Sequence, residues 1–385
     1  MTSMPYPTRF VNLDAARARF GARVDRLAPY FSAMDPLADD VVAEMATLPP
    51  GQGFRALDQA LSHGLSSATP RAVRALVESL EDVPPWADEQ TLDRAGELLM
   101  RSGVLGGLVL AAKSIVHGYA SPAGNKPLVL SGRLLEQAPR RLNETSRFVQ
   151  AVCRPGGMRR FGDGFVITVK VRVMHAQVRR MCLASGRWDA AAWGAPVNQH
   201  DMAATTLLFS LALLEGLRTF GLAFGDDEAE RYMHLFRYVG HVIGVDARLL
   251  PTGQLDGMNL AELIYTTQGA PDDDARALVK ALMHSGIAQT KDKARDARTT
   301  AVGYGICRGL VGDELADQLG VPRDPYRFAL PAMRAMTRAA EAVRLRFPAA
   351  HRTAVEQGTR YWDRVVTVGL AGATAEFRLP ELHAA

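Results

Sequence analysis

The sequence predicts an all-α fold built as a single multi-helix domain. Along most of its 385 residues, apolar side chains recur every three or four positions, the spacing of amphipathic helices, and strand-like alternation is scarce. Proline and glycine interrupt this pattern at points that suit helix ends. Apolar residues make up 48% of the chain, which is enough for a substantial core. Because helices that are apolar on several faces cluster between 103 and 320, we expect one continuous core and one domain over 1–385.

The apolar periodicity predicts helices along the whole chain. In order, they span 12–28, 35–47, 53–64, 70–81, 88–101, 103–118, 139–153, 166–185, 201–221, 226–243, 258–268, 272–288, 296–319, 326–345 and 349–367. Asp35 and Asp201 suit N-cap positions, and Gly320 suits a C-terminal stop. Loops are expected at 121–126 and at the glycine- and arginine-rich segment 154–164, which separate the central helices.

The charge pattern argues against nucleic-acid binding. The formal net charge is +4 and the isoelectric point is near 9.0, but the 45 basic and 41 acidic residues are interspersed along the chain. Neither aromatic interleaving nor a known nucleic-acid module accompanies the basic residues. We therefore expect no nucleic-acid partner.

Export, membrane insertion and disulfide bonding are not expected either. The N-terminus lacks the basic region, apolar core and cleavage site of a signal peptide, which predicts a cytoplasmic protein. The longest apolar stretches, 103–112 and 202–214, are shorter than the roughly 18 to 20 residues that span a bilayer. Cys153, Cys182 and Cys307 lie far apart, and structural disulfides are unusual in a chain of this size.

The predicted helix 166–185 carries the most informative pattern. Arg172, His175 and Arg179 stand at i, i+3 and i+7, on one side of the helix. The adjoining face is apolar and consists of Ile167, Val171, Met174, Val178 and Met181. Interior arginines are costly unless an anion meets them, so this stripe predicts a dianionic ligand with an apolar body. Haem fits, with its iron on His175 and its propionates on the arginines. The alternative is a core histidine beside arginines that pair with carboxylates elsewhere in the fold.

A second candidate helix, 139–153, supplies further polar groups. Arg141, Thr145, Phe148 and Val152 lie on one face at i, i+4, i+7 and i+11. A guanidinium, a hydroxyl and an aromatic ring could therefore face a common cavity. The alternative is an ordinary amphipathic helix.

Together these residues resemble the latex-clearing proteins. The resemblance rests on Arg141 followed by x-x-Glu144-Thr145, on the thirty residues from Thr145 to His175, and on the pattern Arg172-x-x-His175-x-x-x-Arg179. That family consists of b-type haem rubber oxygenases and is grouped with the mycophenolic-acid-pathway oxygenases. The likeness runs from about residue 95 to about 320 and includes 309–317, Gly-Leu-Val-Gly-Asp-Glu-Leu-Ala-Asp.

The resemblance implies a globin-like buried haem pocket between the central helices. The haem-binding core would span about 95–320, with the helices of 1–95 and 321–385 packed on it. Within that core the family implies His175 as the proximal iron ligand, Arg172 and Arg179 as residues that hold the haem, and Arg308 as a further cofactor-binding residue. The implied haem b is non-covalent, because no C-x-x-C-H attachment run is present.

The resemblance also implies the reaction. Dioxygen is activated at ferrous haem and attacks an apolar, unsaturated, isoprenoid-like substrate, while Arg141, Glu144 and Thr145 form the catalytic distal side. Arg141 would polarise bound oxygen, and Glu144 would act as a proton donor or acceptor. The implied partners are therefore dioxygen and an apolar small molecule.

The chain departs from the family pattern at two positions, and these departures limit the substrate that we expect. Latex-clearing proteins carry a lysine just before the threonine, where this chain has Glu144. They also carry a glutamate about sixteen residues ahead of the arginine that aligns with Arg141, where this chain has 124–126, Gly-Asn-Lys. We therefore expect oxidation of an apolar substrate smaller than rubber.

Two other classes of function stay open on the sequence alone. The protein could bind haem or another apolar ligand without catalysis. It could also be a helical interaction protein without a cofactor, in which the stripe around His175 is a buried ion-pair network. Among the other histidines, His117 could lie in the distal pocket, His234 and His241 are interpreted as structural, and His200 is expected at the surface or in a cap.

Overall fold

The computed structural model describes residues 6–130, 134–285, 292–323 and 325–369. Over these ranges the regular structure is helical and contains no strand, and its β-type pairing is limited to one antiparallel bridge between Phe10 and Gln268. The prediction of an all-α fold is confirmed.

Twenty-one α-helices and a π-helical segment make up most of this structure. The first half contains α1 (Leu13–Phe20), α2 (Pro36–Met45), α3 (Gln52–His63), α4 (Arg71–Glu78), α5 (Glu89–Ala95), α6 (Glu97–Ser102), α7 (Val104–Val109), the π-helical segment (Leu110–Ile115), α8 (Val116–Tyr119), α9 (Pro122–Leu130), α10 (Leu134–Cys153) and α11 (Asp163–Ala184). The second half contains α12 (Ala190–Trp193), α13 (Gln199–Phe209), α14 (Leu211–Thr219), α15 (Asp226–Val242), α16 (Gln254–Thr267), α17 (Asp273–Ser285), α18 (Lys293–Val311), α19 (Asp313–Gln318), α20 (Ala329–Arg346) and α21 (Pro348–Gly369).

Several helix ends follow from local chemistry. The Asp35 side chain caps α2 by accepting a hydrogen bond from the backbone of Ala38 at 3.4 Å, as predicted. The predicted cap Asp201 is wrong: Asn198 caps α13 and accepts from the Asp201 backbone at 2.9 Å. Gly320 has a φ of 70° just after α19, a left-handed conformation that glycine adopts without strain.

Five predicted helices are interrupted. The helix predicted at 12–28 ends as α1 at Phe20 and continues as a short 3-10 helix, Gly21–Arg23, and the helix predicted at 88–101 divides at Gly96 into α5 and α6. Three others contain the following breaks. The helix predicted at 103–118 contains the π-helical segment between α7 and α8. The helix predicted at 201–221 breaks at Ser210, whose hydroxyl donates to the Thr206 carbonyl at 2.9 Å. The helix predicted at 296–319 breaks at Gly312, where φ is 88°. Apolar periodicity continues across all three interruptions, so it cannot locate them.

The segment predicted as a loop at 121–126 is instead part of α9. This helix begins at Pro122, where proline suits the first turn, and also contains Pro127. Asn125 is buried, and its amide donates to the Tyr119 carbonyl at 2.6 Å. Burial of the helix outweighs its weak intrinsic helix propensity.

Helix α11 lies near the centre of the fold. It packs against α10 on one side, against α2 on another, and against α15 and α9. A second, smaller core joins the N-terminal segment to α13 and α16, and includes Phe10, Phe31, Met202 and Leu263. The proposed division into a 95–320 core with flanking helices stays a prediction.

Among the described residues, one stretch is long and apolar enough to cross a membrane by length and composition alone. It is Gln199–Thr219, which covers α13 and α14, and 56% of its most apolar window is buried inside the protein. Two consecutive helical stretches, Glu89–Ser102 and Val104–Tyr119, pass the same test only when they are counted together as one span. The chain bends by 88° between them.

The C-terminal helix α21 is held by a buried tryptophan. Trp362 is fully buried, and its indole N–H donates to the Leu99 carbonyl in α6 at 3.1 Å. A Cβ atom at Gly358 would lie 1.9 Å from the Met100 carbonyl oxygen, so glycine allows the two helices to approach closely.

We expect Trp362→Ala to lower the free energy of unfolding by about 3 to 5 kcal/mol, because it leaves a cavity and removes a buried hydrogen bond. Urea denaturation followed by circular dichroism measures this change. The control is Arg360→Ala on the exposed side of α21, which should change stability by less than about 0.5 kcal/mol. Equal stabilities for the two variants would contradict the proposed anchoring.

Candidate functional site on helix α11

His175 lies on a half-buried, apolar face of α11. Val171, Met174 and Val178 on the same face are also half-buried, whereas the adjoining face with Val173 and Ala176 is buried, at 0% and 1% exposure. The face that carries the imidazole is therefore more accessible than this adjoining face. This is the surface on which a flat apolar ligand could lie.

Arg172 is held by Asp35 in a bidentate ion pair. Its Nε and Nη2 donate to the two carboxylate oxygens at 2.6 and 2.8 Å, and Nη1 donates to the Val242 carbonyl at 3.3 Å. Both side chains are only 8% exposed. A Cβ atom at Gly244, where φ is 92°, would lie 2.5 Å from both Arg172 Nε and Asp35 Oδ2. The pair therefore needs glycine at this position.

Arg179 is paired in a similar way with Asp39, which lies one turn beyond Asp35 on α2. Its Nη1 forms a short ion pair with Asp39, while Nε and Nη2 donate to the carbonyls of Pro196 and Val197 at 3.2 and 3.1 Å. The Arg179 side chain is 3% exposed. Val197 adopts a φ of 50°, an unusual conformation for a β-branched residue.

Arg172 and Arg179 each have a carboxylate partner inside the fold. Both are matched by carboxylates of α2, which is the alternative left open by the sequence. Their guanidinium groups support the backbone on both sides of His175. A direct role of either arginine in haem binding stays a prediction, and the observed contacts do not add support to it.

Helix α10 brings the other predicted site residues beside α11. Glu144 and Thr145 are half-buried on α10, which packs along α11. The side chain of Arg141 lies outside the described residues, although its backbone belongs to α10. The structure thus brings together the two helices that carry the predicted residues.

Near the end of α18, the guanidinium of Arg308 is bound by carboxylates and a backbone carbonyl of the following segment. Its Nη1 donates to Asp313 at 2.8 Å, and its Nη2 donates to Asp317 at 2.6 Å and to the Val321 carbonyl. Together with Arg323, it lowers the pKa of the Asp317 carboxyl to about 2. These contacts join α18 to α19, and a cofactor-binding role for Arg308 stays a prediction.

His117 lies in a cavity lined mainly by α8, α13 and α16. Its ring centroid is 5.5 Å from that of Tyr265, and burial lowers its pKa to about 3, so the imidazole is neutral. This cavity, of about 90 Å³, is also lined by His200 but not by His175, Glu144 or Thr145. The placement does not favour His117 as a distal-pocket residue.

His200 is a polar core residue that the sequence analysis placed at the surface or in a cap. It is buried, its Nδ1 lies 3.2 Å from Asp201 Oδ1, and Arg9 binds the same carboxylate with distances of 2.7 and 2.8 Å. The carboxylate only accepts hydrogen bonds, so Nδ1 carries the proton. Arg9 is 192 residues away from Asp201 in sequence, and no local pattern predicts their pairing.

His234 and His241 flank an aromatic side chain. Their ring centroids lie 5.6 and 6.3 Å from that of Trp86, and the guanidinium of Arg237 lies 4.0 Å above the same ring system. Within the described ranges, no group of three or more His, Cys, Asp or Glu side chains is placed to hold a metal ion. A structural interpretation of both histidines agrees with these contacts.

Comparison with known proteins identifies the family. The family model described as "ER-bound oxygenase mpaB/B'/Rubber oxygenase, catalytic domain" matches residues 90–345, which is more than half of the chain and includes all of the predicted site residues. The chain belongs to this oxygenase family. The resemblance to latex-clearing proteins stated from the sequence is therefore confirmed.

Two relatives of known identity support this placement. The rubber oxygenase of Streptomyces sp. (strain K30) is 24% identical over 270 residues, which cover 70% of this chain and 64% of that protein, slightly under two thirds of its length. A solved structure of the latex clearing protein LCP in the closed state matches with a TM-score of 0.68 at 20% identity, covering 86% of this chain and 90% of that one. The two proteins therefore share a fold.

We expect Asp35→Asn to lower the free energy of unfolding by about 3 to 5 kcal/mol, because the buried Arg172 loses its counter-charge while the shape of the site is retained. Chemical denaturation measures the effect. Asp40→Asn, on the exposed side of α2, serves as the control and should be nearly neutral. Wild-type stability in the Asp35 variant would show that the ion pair does not hold α2 on α11.

The lowered pKa of His117 predicts an acid-dependent loss of stability. In the unfolded chain this histidine binds a proton as the pH falls below about 6.5, whereas in the folded protein it stays neutral until about pH 3. Its contribution to stability is therefore complete above pH 6.5 and is lost as the pH falls from 6.5 towards 3. Urea denaturation at several pH values between 7 and 4 gives the slope of the unfolding free energy against pH, and this slope reports how many protons are taken up on unfolding. For His117→Asn, this number should be about one lower than for the parent protein. An unchanged slope in the His117 variant would refute the assignment.

Proposed function

We propose that the protein is a haem-dependent oxygenase that uses dioxygen to oxidise an apolar, unsaturated, isoprenoid-like molecule, with His175 as the iron ligand. The observation that carries the proposal is the half-buried imidazole on the apolar face of α11, inside the stretch that matches the oxygenase family. The substrate class is supported by the rubber oxygenase relative. The cytoplasmic location expected from the sequence stays a prediction.

The chemistry of the donor set fits haem better than a bare metal ion. Metal ions held by protein side chains alone usually need three or four ligands, and the described residues offer no such group. Haem supplies four nitrogen ligands itself and needs one axial side chain. His175 would ligate the iron, and Val171, Met174 and Val178 would pack against the apolar macrocycle.

The protein would contribute His175 as the iron ligand and an apolar surface around it. Haem, when bound, supplies the activation of dioxygen. The ion pairs of Arg172 with Asp35 and of Arg179 with Asp39 hold the helical turns on either side of His175, so the imidazole is presented without large reorganisation. The apolar strip around it favours a hydrocarbon substrate over a charged one.

Helix α10 would supply the groups that handle protons. Glu144 is a half-buried carboxyl beside α11, and it can accept or donate a proton at its carboxylate oxygens. The neighbouring Thr145 hydroxyl can donate one hydrogen bond and accept others. Arg141 is proposed to add positive charge on the same side.

The observed ion pairs favour a second candidate function. Because Arg172 and Arg179 are already matched by carboxylates, the stripe around His175 is also compatible with a helical interaction protein that holds no cofactor. An absorption spectrum separates this candidate from the proposed oxygenase.

We expect protein produced with a haem precursor to show a Soret band, and His175→Ala to lose it while circular dichroism remains helical, because the bond from iron to imidazole is the strongest single tie to a non-covalent haem. His284→Ala, at an exposed position on α17, is the control and should retain the band. A parent protein without a Soret band would favour the interaction protein. Full haem content in the His175 variant would show that another residue ligates the iron.

Oxygen uptake then tests catalysis. A haem-loaded protein should consume dioxygen when it is mixed with a soluble unsaturated isoprenoid and should release carbonyl products. Stable haem binding without oxygen uptake on such substrates would favour the non-catalytic haem-binding protein left open by the sequence.

A further inference from the structure

The glycine- and arginine-rich segment between α10 and α11 is a compact, well-defined loop. A Cβ atom at Gly157 would lie 2.1 Å from the Ala151 carbonyl oxygen, and one at Gly162 would lie 2.4 Å from the Gly156 carbonyl oxygen. The backbone of Phe165 donates to the Gly157 carbonyl at 2.8 Å. The loop backbone is therefore held closely against the end of α10.

This loop presents a phenylalanine in an unfavourable conformation. Phe161 has a φ of 68°, in the left-handed region, which costs a non-glycine residue on the order of 1 to 3 kcal/mol. Its side chain is nevertheless 49% exposed, as is that of Val83 across the same cavity. Neither burial nor a favourable backbone conformation explains why an aromatic ring is held at this place.

The adjacent Arg160 lacks a counter-charge. Its guanidinium lies 4.0 Å from the ring centroid of Phe161 and 5.4 Å from that of Phe165, and its Nη2 donates weakly to the Ala60 carbonyl at 3.4 Å. Its Nη1 is buried and has no hydrogen-bond partner, and no carboxylate of a described residue lies within 4.0 Å of it. Burial lowers the pKa of Arg160, because desolvation of the charged form outweighs the attraction of the more distant Glu81 carboxylate.

Arg160 lines a cavity of about 320 Å³ that is otherwise mainly apolar. Its apolar lining includes Leu80, Val83, Leu92, Met158, Phe161 and Phe165. Of the other charged residues, Arg159 is already paired with Asp93 and lies 3.8 Å from Glu89. Glu81 is exposed and lines the same cavity without an ion pair to a described residue, so it is the side chain with which an anionic ligand would compete.

We propose that this cavity binds an amphipathic monocarboxylate, with the carboxylate on Arg160 and the hydrocarbon chain on the apolar lining. A carboxylate would satisfy the buried Nη1 through a charge-assisted hydrogen bond, and an alkyl chain would cover the exposed ring of Phe161. The site is separate from the proposed haem site, because His175 lies ten residues beyond Phe165, the cavity residue on α11, which is about 15 Å along the helix. The proposal does not depend on the function assigned to His175.

Octanoate and 1-octanol are suitable probes, since they share a chain and differ in charge. Isothermal titration of the full-length protein should detect octanoate binding at least tenfold tighter than 1-octanol binding, and the octanoate affinity should fall as the salt concentration rises. No octanoate binding, or equal binding of the two probes, would overturn the proposal.

Substitutions of three neighbouring charged residues test whether Arg160 itself binds the carboxylate. Arg160→Met should weaken octanoate binding at least tenfold, whereas Arg159→Met, which removes an already paired arginine from the same cavity, should change it by less than threefold. Glu81→Gln should tighten binding, because it removes the competing carboxylate. Equal losses in the two arginine variants would mean that only general positive charge attracts octanoate, which would overturn the assignment to Arg160.

A fourth variant tests the site without a risk of unfolding. Phe161→Gly relieves the left-handed backbone strain, so the melting temperature should stay the same or rise, while octanoate binding weakens because the apolar lining is lost. Unchanged octanoate affinity in this variant would show that Phe161 does not line the ligand site and would refute the proposed binding mode.

Discussion

Two buried ion pairs between α2 and α11 hold the central part of the structure in place. Arg172 and Arg179 would each cost several kcal/mol to bury alone, and this cost is offset only when a carboxylate meets the guanidinium with good geometry. Asp35 and Asp39, one turn apart on α2, meet that requirement. They determine how α2 lies on α11 and therefore how firmly the turn that carries His175 is supported.

The same rule accounts for two other connections in the fold, one of them between segments far apart in sequence. Arg9 ties the N-terminal segment to α13 through Asp201, and Arg308 ties α18 to α19. In each case a mostly buried cation is satisfied by a carboxylate from another segment of the chain. Arg160 departs from this pattern because no carboxylate in its cavity forms an ion pair with it. Most of the lining is apolar, Asp93 is paired with Arg159, and Glu81 is exposed. That departure is the physical basis for proposing an external carboxylate there.

The fold depends on the pattern of apolar residues, whereas the proposed chemistry of the site depends on individual side chains. A latex clearing protein at 20% identity matches this chain with a TM-score of 0.68, because helix packing requires a pattern of apolar side chains rather than particular residues. The chemistry beside His175 depends on a few side chains. Glu144 stands where the resemblance to latex-clearing proteins implies a lysine, so the proposed function predicts that ligand access and proton handling differ from those of the rubber oxygenase relative.

The sequence by itself determined the all-α class, most helices, the stripe of Arg172, His175 and Arg179, and the family, because each of these depends on local periodicity or short spacing. Tertiary structure decided which groups meet. Asp35 lies 137 residues from Arg172 in sequence, so their pairing depends on the packing of whole helices. Burial likewise placed His200 in the core and made α9 helical despite Pro127. The missing partner of Arg160 also became visible only in three dimensions, since local sequence cannot show which carboxylates are absent from a cavity.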